Sequence, residues 1–148
     1  MTPAVAVSPY DHRPDATRSK DTATSLGPML VTPDELEDVR SGRGHRLSMV
    51  ASVNGVEISS GNWSDLHWSF GDMIAYASRG TRVAPGDLIG SGTVATGCLL
   101  EHIGVDPTSD RWLSPGDVVT LEIERLGRIR STVRAARPVP EIPAPATV

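Results

Sequence analysis

Hydrophobic and polar positions alternate between Arg46 and Val53. Leu47, Met49, Ala51 and Val53 fall on one face, Ser48 and Ser52 on the other. That pattern predicts a half-buried strand. Asn54-Gly55 follows, the strongest short hairpin signal, and Val56-Glu57-Ile58-Ser59 reads as the return strand. A second alternation sets Val119, Leu121 and Ile123 against Thr120, Glu122 and Glu124. Leu126-Gly127 turns the chain, and Ile129 to Val133 returns. Between the hairpins the period changes. Leu66, Phe70, Met73, Ile74 and Ala77 form one helical stripe, predicting a helix over 65–79 capped by Ser64 or Asp65 and stopped by Gly80. Met29-Leu30-Val31 is a short apolar strand candidate. Thr32-Pro33-Asp34-Glu35 reads as a capping box that starts a helical turn through Leu36 to Val39, closed by a loop over Ser41-Gly42-Arg43-Gly44.

One stretch breaks the strand rules. Gly86-Asp87-Leu88-Ile89-Gly90-Ser91-Gly92-Thr93-Val94-Ala95-Thr96-Gly97 reads as a turn followed by a strand with too many glycines. Glycine inside a strand marks a bulge or a close backbone approach. Gly90, Gly92 and Gly97 strip the segment of side chains, while Thr93 and Thr96 supply hydroxyls. Such a segment can present backbone and hydroxyl donors to a small ligand, or it can be a glycine-bent strand and nothing more. Pro85-Gly86-Asp87 has an echo in Pro115-Gly116-Asp117, and each turn is expected to launch a strand. Residues 1–19 read as a flexible arm, 20–137 as the folded domain, and 138–148 as a solvated, polyproline-like tail. His12 lies in the arm with Asp11 and Asp15 and reads as solvated rather than as a metal ligand. His67 reads as a surface or interface residue.

Composition narrows the function classes. The chain of 148 residues suits one domain, and its net charge of −4 argues against a nucleic-acid partner. Its single cysteine, Cys98, rules out an internal disulfide and fits a reducing compartment. No apolar run has the length of a membrane span. A cytoplasmic protein that binds no membrane is the expectation. Asn62-Trp63-Ser64 matches a glycosylation acceptor but is set aside, because the N-terminus lacks the order of a signal peptide.

Taken in order, several segments resemble the fumarylacetoacetate hydrolase family. They are Lys20-Asp21-Thr22-Ala23-Thr24-Ser25-Leu26-Gly27-Pro28, Trp68-Ser69-Phe70 with its helix, Pro85 to Thr93, and Pro115-Gly116-Asp117-Val118-Val119 with its closing hairpin. The resemblance covers about residues 20–134. It implies a mostly β fold, a mixed β-roll with one amphipathic helix. It also implies hydrolysis of carbon–carbon bonds in small β-diketo or oxo acids, with a divalent metal (Mg, Mn or Ca) as cofactor. Breaking a bond beside a carbonyl leaves an enolate, so positive charge must be waiting for it. By resemblance Lys20 is the lysine beside the metal and Thr24 the hydroxyl that supports the same site. Thr93 is the substrate-contacting threonine. Glu101, in Leu99-Leu100-Glu101, matches the glutamate that orients the family's histidine base.

The departures from the family pattern are as informative. The acidic metal ligands and the histidine base of the family lie upstream of the lysine. Here 19 residues precede Lys20 and hold no Glu. The two Glu-x-Glu pairs, Glu35/Glu37 and Glu122/Glu124, are in the wrong place, and His102 is not the family base. The chain therefore reads as the C-terminal part of the family domain without its metal-ligand half. Three functions follow as expectations: a hydrolase-family enzyme with an incomplete site, a non-catalytic paralogue or a subunit completed by another chain or by pairing as a homodimer, and a metal-free β module that binds small acids.

Overall fold

The computed structural model describes residues 4–5, 24–108 and 112–135. Two short strands, β1 (Ala4–Val5) and β2 (Ser25–Leu26), pair antiparallel. A second small pair joins β3 (Arg40–Ser41) to β4 (Gly44–His45). The main sheet consists of β5 (Ser48–Val53), β6 (Val56–Asn62), β7 (Val118–Ile123) and β8 (Gly127–Thr132), all antiparallel in the order β6-β5-β7-β8. Two helices lie between β6 and β7: α1 (Phe70–Ala77) and α2 (Leu99–Val105). None of the described helices is long and apolar enough to cross a membrane. The protein is mostly β.

The hairpins follow from their turn residues. Asn54 and Gly55 have φ of 52° and 82°, the two left-handed residues that a tight hairpin requires. Asn54 also ties this turn to the next hairpin. Its Nδ2 donates to Asp117 Oδ1 at 2.8 Å, and its Oδ1 accepts from the Val118 N–H at 2.9 Å. The Pro115-Gly116 turn has φ 104° at Gly116 and closes with the Asp117 N–H donating to the Ser114 carbonyl at 3.0 Å. The Pro85-Gly86 turn has the same form, with φ 103° at Gly86 and the Asp87 N–H donating to the Ala84 carbonyl at 3.1 Å.

Register places the apolar positions on one side. Met49 pairs with Ile123, Ala51 with Leu121 and Val53 with Val119. A bulge between Ala51 and Ser52 puts Ile58 out of register, so Ala51 faces Ser59 and Val53 faces Val56. The core gathers at the Met49–Ile123 end. Leu36, Leu47, Ile123 and Leu126 are buried there, with Val31, Val39, Met49 and Trp63 packed against them. At the opposite end of the same face, Val53, Val119 and Leu121 are only half-buried.

Several local expectations are corrected. Thr32 starts a 3-10 helix over Pro33–Val39, but its side chain makes no cap hydrogen bond, so the capping box does not form. Met29-Leu30-Val31 is not a strand, and Leu30 is 78% exposed. Ser41 to Gly44 is a two-residue hairpin rather than a loop. Gly44 is buried because its Cα lies under Trp63. The helix begins at Phe70, not near residue 65, because Ser69 and Asp72 form the capping box and Trp63–Asp65 is a separate 3-10 turn. Leu126 is core rather than mere turn. Arg125 at φ 63° and Gly127 at φ 91° fold it inward.

Candidate functional site

The glycine-rich segment does not become a strand. After the Pro85-Gly86 turn, residues 87–94 run without a ladder partner, so the turn launches an open stretch of chain. Its three glycines are there for different reasons. Gly97 is required by packing, since a Cβ there would stand 2.8 Å from the Val94 carbonyl oxygen. Gly92 is required by its backbone, at φ 84°. Gly90 answers to neither demand, because a Cβ there would meet nothing within 4 Å. It leaves bare backbone facing open space.

The far end of the segment is fixed to β6. Gly61 has no side chain, so Val94 packs onto its Cα. A Cβ at Gly61 would be 3.2 Å from the Val94 Cβ. The Ser59 hydroxyl, on a residue only 5% exposed, donates to the Ala95 carbonyl at 3.3 Å and lies 3.1 Å from Thr96 Oγ1. Thr96 sits at φ 62°, and its carbonyl oxygen is 2.8 Å from His102 Nε2 on α2. That contact locks the turn onto the helix. Ser59, Gly61, Thr96 and His102 thus hold the segment in place, and sequence reasoning assigned none of them that task. The one available signal was Ser59, a hydroxyl at an otherwise apolar inward position.

The predicted site residues separate into three groups. Thr93 and Glu101 belong to the same turn-and-helix unit. Thr93 Cβ lies 3.2 Å from where a Gly97 Cβ would stand, and Glu101 lies in the first turn of α2, its N–H donating to the Cys98 carbonyl at 2.9 Å. Both side chains are exposed and engage no other described residue. Thr24 is exposed beside β2, and no hydrogen bond joins it to that unit. Lys20 lies outside the described residues, as do the arm residues Asp11, His12 and Asp15.

The described residues do not fit a divalent metal. No group of three His, Cys, Asp or Glu among them is placed to hold one. Both Glu-x-Glu pairs have other work. Glu37 pairs with Arg40 at 3.0 Å and Glu122 with Arg128 at 2.9 Å. Glu124 Oε2 accepts from the Ser48 N–H at 3.1 Å and lies 3.3 Å from the Ser48 hydroxyl.

The model of the family described as fumarylacetoacetate (FAA) hydrolase C-terminal matches residues 7–134. The chain belongs to the fumarylacetoacetate hydrolase family. The match begins upstream of Lys20 and ends where the sequence resemblance ended. Among curated relatives, a 2,4-didehydro-3-deoxy-L-rhamnonate hydrolase from Sphingomonas sp. (strain SKA58) is 34% identical over 119 residues, 78% of this chain and 37% of the relative. The human mitochondrial oxaloacetate tautomerase FAHD2A is 36% identical over 113 residues, covering 76% and 32%. A maleylpyruvate hydrolase from Aquipseudomonas alcaligenes is 35% identical over 118 residues, covering 80% and 35%. The crystal structure of a Mycobacterium smegmatis protein assigned the name HpcE superposes with a TM-score of 0.60 at 31% identity, over 76% of this chain and 37% of that one. The chain spans about a third of the length of the curated relatives it matches.

Proposed function

We propose that this chain supplies the substrate-carboxylate side of a site for small oxo or diketo acids, and that acidic residues from another polypeptide complete it. The observation that carries the reading is the Gly90-to-Thr93 stretch. It is held at its far end by Ser59 and Gly61, has no packing reason for Gly90, and carries an uncommitted Thr93 hydroxyl. Backbone N–H groups and a hydroxyl in that arrangement suit a carboxylate or an enolate oxygen. The named relatives support the substrate class: oxaloacetate and maleylpyruvate are oxo acids. Carbon–carbon hydrolysis and keto–enol exchange both pass through an enolate beside a carbonyl. One carboxylate-holding element therefore serves either reaction.

In this reading Lys20 brings positive charge to the developing enolate, and Glu101 positions a base that lies on the completing polypeptide. A divalent cation would supply Lewis-acid charge. Its ligands are not among the described residues. The chain alone is then expected to show no turnover, and calorimetric titration with Mg2+ or Mn2+ should show no tight stoichiometric binding. The deciding experiment assays oxo-acid hydrolysis and tautomerisation by the chain alone and after mixing with a polypeptide carrying the upstream two-thirds of a relative. Activity only in the mixture supports the reading. Activity of the chain by itself overturns it. Within the active mixture, Lys20→Met should abolish turnover while leaving the stability of the separate chain unchanged.

A second reading is a metal-free module that binds small acids through Thr93 and the neighbouring backbone, without catalysis. A panel of oxo acids titrated against the chain without metal separates the two. Binding that Thr93→Val removes, with no turnover in any mixture, favours the module.

A further inference from the structure

Thr96 is held in a backbone conformation that its side chain resists. Among the described residues, three other than glycine have positive φ: Asn54, Thr96 and Arg125. Asn54 and Arg125 lie in the tight turns between β5 and β6 and between β7 and β8. Thr96, at φ 62°, is the β-branched one of the three, and crowding at its Cβ makes that region costly. It stands at the third position of the turn that the Gly97 N–H closes on the Val94 carbonyl at 2.9 Å. A positive φ at that position suits glycine or asparagine.

Strain of this kind persists only where the surroundings over-determine it. Here the neighbours grip Thr96 from two sides. His102 Nε2 lies 2.8 Å from the Thr96 carbonyl oxygen. A carbonyl only accepts, so Nε2 carries the hydrogen. On the other side, Thr96 Oγ1 lies 3.1 Å from Ser59 Oγ, which itself donates to the Ala95 carbonyl at 3.3 Å. With the Ser59 hydrogen committed to Ala95, the Thr96 hydroxyl is the donor to Ser59. Ser59 is 5% exposed and belongs to β6, so this grip is anchored in the main sheet.

The His102 bond joins two elements that each carry a predicted site residue. Thr93 precedes Thr96 by three positions, on the other arm of the turn. Glu101 immediately precedes His102 in the first turn of α2. A bond from α2 to the turn therefore sets where Glu101 stands relative to Thr93.

We infer, within the oxo-acid reading above, that Thr96 and His102 are positioning residues: their bond aligns the Glu101 carboxylate with the Thr93 hydroxyl, and Ser59 fixes that unit to the sheet. His102 acts here through the Thr96 carbonyl and transfers no proton. Misplacing a reacting group by about 1 Å can cost on the order of 100-fold in rate, so alignment of this kind is worth its strained residue.

The test uses the full chain mixed with a polypeptide carrying the upstream two-thirds of a relative. The kcat and KM for oxo-acid turnover are compared for wild type, Thr96→Gly, His102→Ala and His102→Gln, with the urea midpoint of each separate chain. Glycine accepts positive φ without the Cβ clash but brings no hydroxyl to Ser59. Thr96→Gly should therefore keep its urea midpoint and still lose kcat/KM by roughly 10- to 100-fold. His102→Ala should lower kcat as well as raise KM, and should speed amide exchange at Gly97 and Glu101. His102→Gln puts an amide N–H where Nε2–H stood. It should recover most of the activity and leave the pH profile of kcat/KM as in wild type. A wild-type mixture that is inert, or indifferent to Thr93→Val, removes the site and this inference together. A mixture that needs Thr93 but not Thr96 or His102 overturns the inference alone. So does activity that merely tracks stability across the variants, because the bonds would then serve only the fold. A pH limb lost in His102→Gln also overturns it, because His102 would then transfer the proton itself.

Discussion

A Cβ added at Gly44 would stand 2.1 Å from the Trp63 carbonyl oxygen, while one added at Gly90 would touch nothing within 4 Å. Gly44→Ala must move the backbone that packs Trp63 onto the core, and should cost about 1–3 kcal/mol, as overpacking does. Gly90→Ala should leave stability unchanged or raise it by about 0.4–1 kcal/mol, because alanine has fewer unfolded conformations to lose. Urea denaturation of both variants checks this. A Gly90→Ala loss as large as that of Gly44→Ala would mean that Gly90 serves the fold and not a ligand. Sequence alone gave Gly90, Gly92 and Gly97 one shared reason. It could not separate left-handed backbone from close contact, because both demand the same residue. Acid should lower stability in two stages. Desolvation holds the His45 imidazole below its ordinary value of 6.5. The unfolded chain then takes up that proton first, so stability present above 6.5 is lost as pH falls from there toward the folded-state value. Asp117 is held below 3.8 by hydrogen bonds, first from the Ser114 backbone and then from the Asn54 side chain. Asp38, beside Arg125, and Asp72, bonded to Ser69, shift the same way. Their contribution is present above 3.8 and is lost as pH falls toward their folded-state values. Urea midpoints from pH 8 to 3 should trace both limbs, and His45→Gln should flatten only the upper one.

At the level of elements, the two hairpins were legible because period-2 alternation and Asn-Gly or Pro-Gly turns specify them within a few residues. Helix boundaries were less legible. Thr32-Pro33-Asp34-Glu35 has the capping-box letters, but the short run after it winds as a 3-10 helix, and the Thr32 side chain bonds to Asp34 instead of capping the backbone. Ser69-Phe70-Gly71-Asp72 has a shorter acid at the third helical position and does form the box. The Ser69 N–H donates to Asp72 Oδ2 at 2.9 Å, and the Asp72 N–H donates to Ser69 Oγ at 3.1 Å. Helix α2 was not foreseen. Its seven residues give no full apolar stripe, and it forms where Thr96 and His102 bond across its start. Helix α1 buries none of its residues, so it depends on its own cap more than a core helix does. Ser69→Ala removes the cap and should cost the helix about 1 kcal/mol. That loss should appear as weaker far-UV circular dichroism and faster amide exchange over residues 70–77, with little change in the urea midpoint. A full loss of cooperative unfolding would instead make α1 part of the core.

For the whole molecule, the balance of buried and exposed surface is the telling quantity. Among the described residues, five hydrophobic side chains are buried: Leu36, Leu47, Ala51, Ile123 and Leu126. Eleven large ones are exposed, from Leu26 to Trp112, including Ile74 and Tyr76 on α1 and Leu88 and Leu100 on either side of Thr93. Composition hid this, because a chain with 39% hydrophobic residues looks able to bury a core. The strand pattern hid it too, since alternation shows that a strand has an apolar face but not whether anything covers it. Exposed apolar side chains that gather into a patch mark an interface or an aggregation hazard. In the proposed function, the exposed side chains of α1, Ile74 and Tyr76, are where the completing residues would pack. The chain alone should bind a hydrophobic dye such as ANS and self-associate as its concentration rises. Mixing it with the upstream two-thirds of a relative should suppress dye binding in a 1:1 proportion, raise the urea midpoint, and remove the concentration dependence. Ile74→Asp and Tyr76→Asp provide the control, because α1 is not buried and these changes leave the separate chain folded. They should abolish the stabilisation by the added polypeptide. A chain that stays monomeric, binds no dye, and gains no stability from the added polypeptide would show that this surface is complete as it stands.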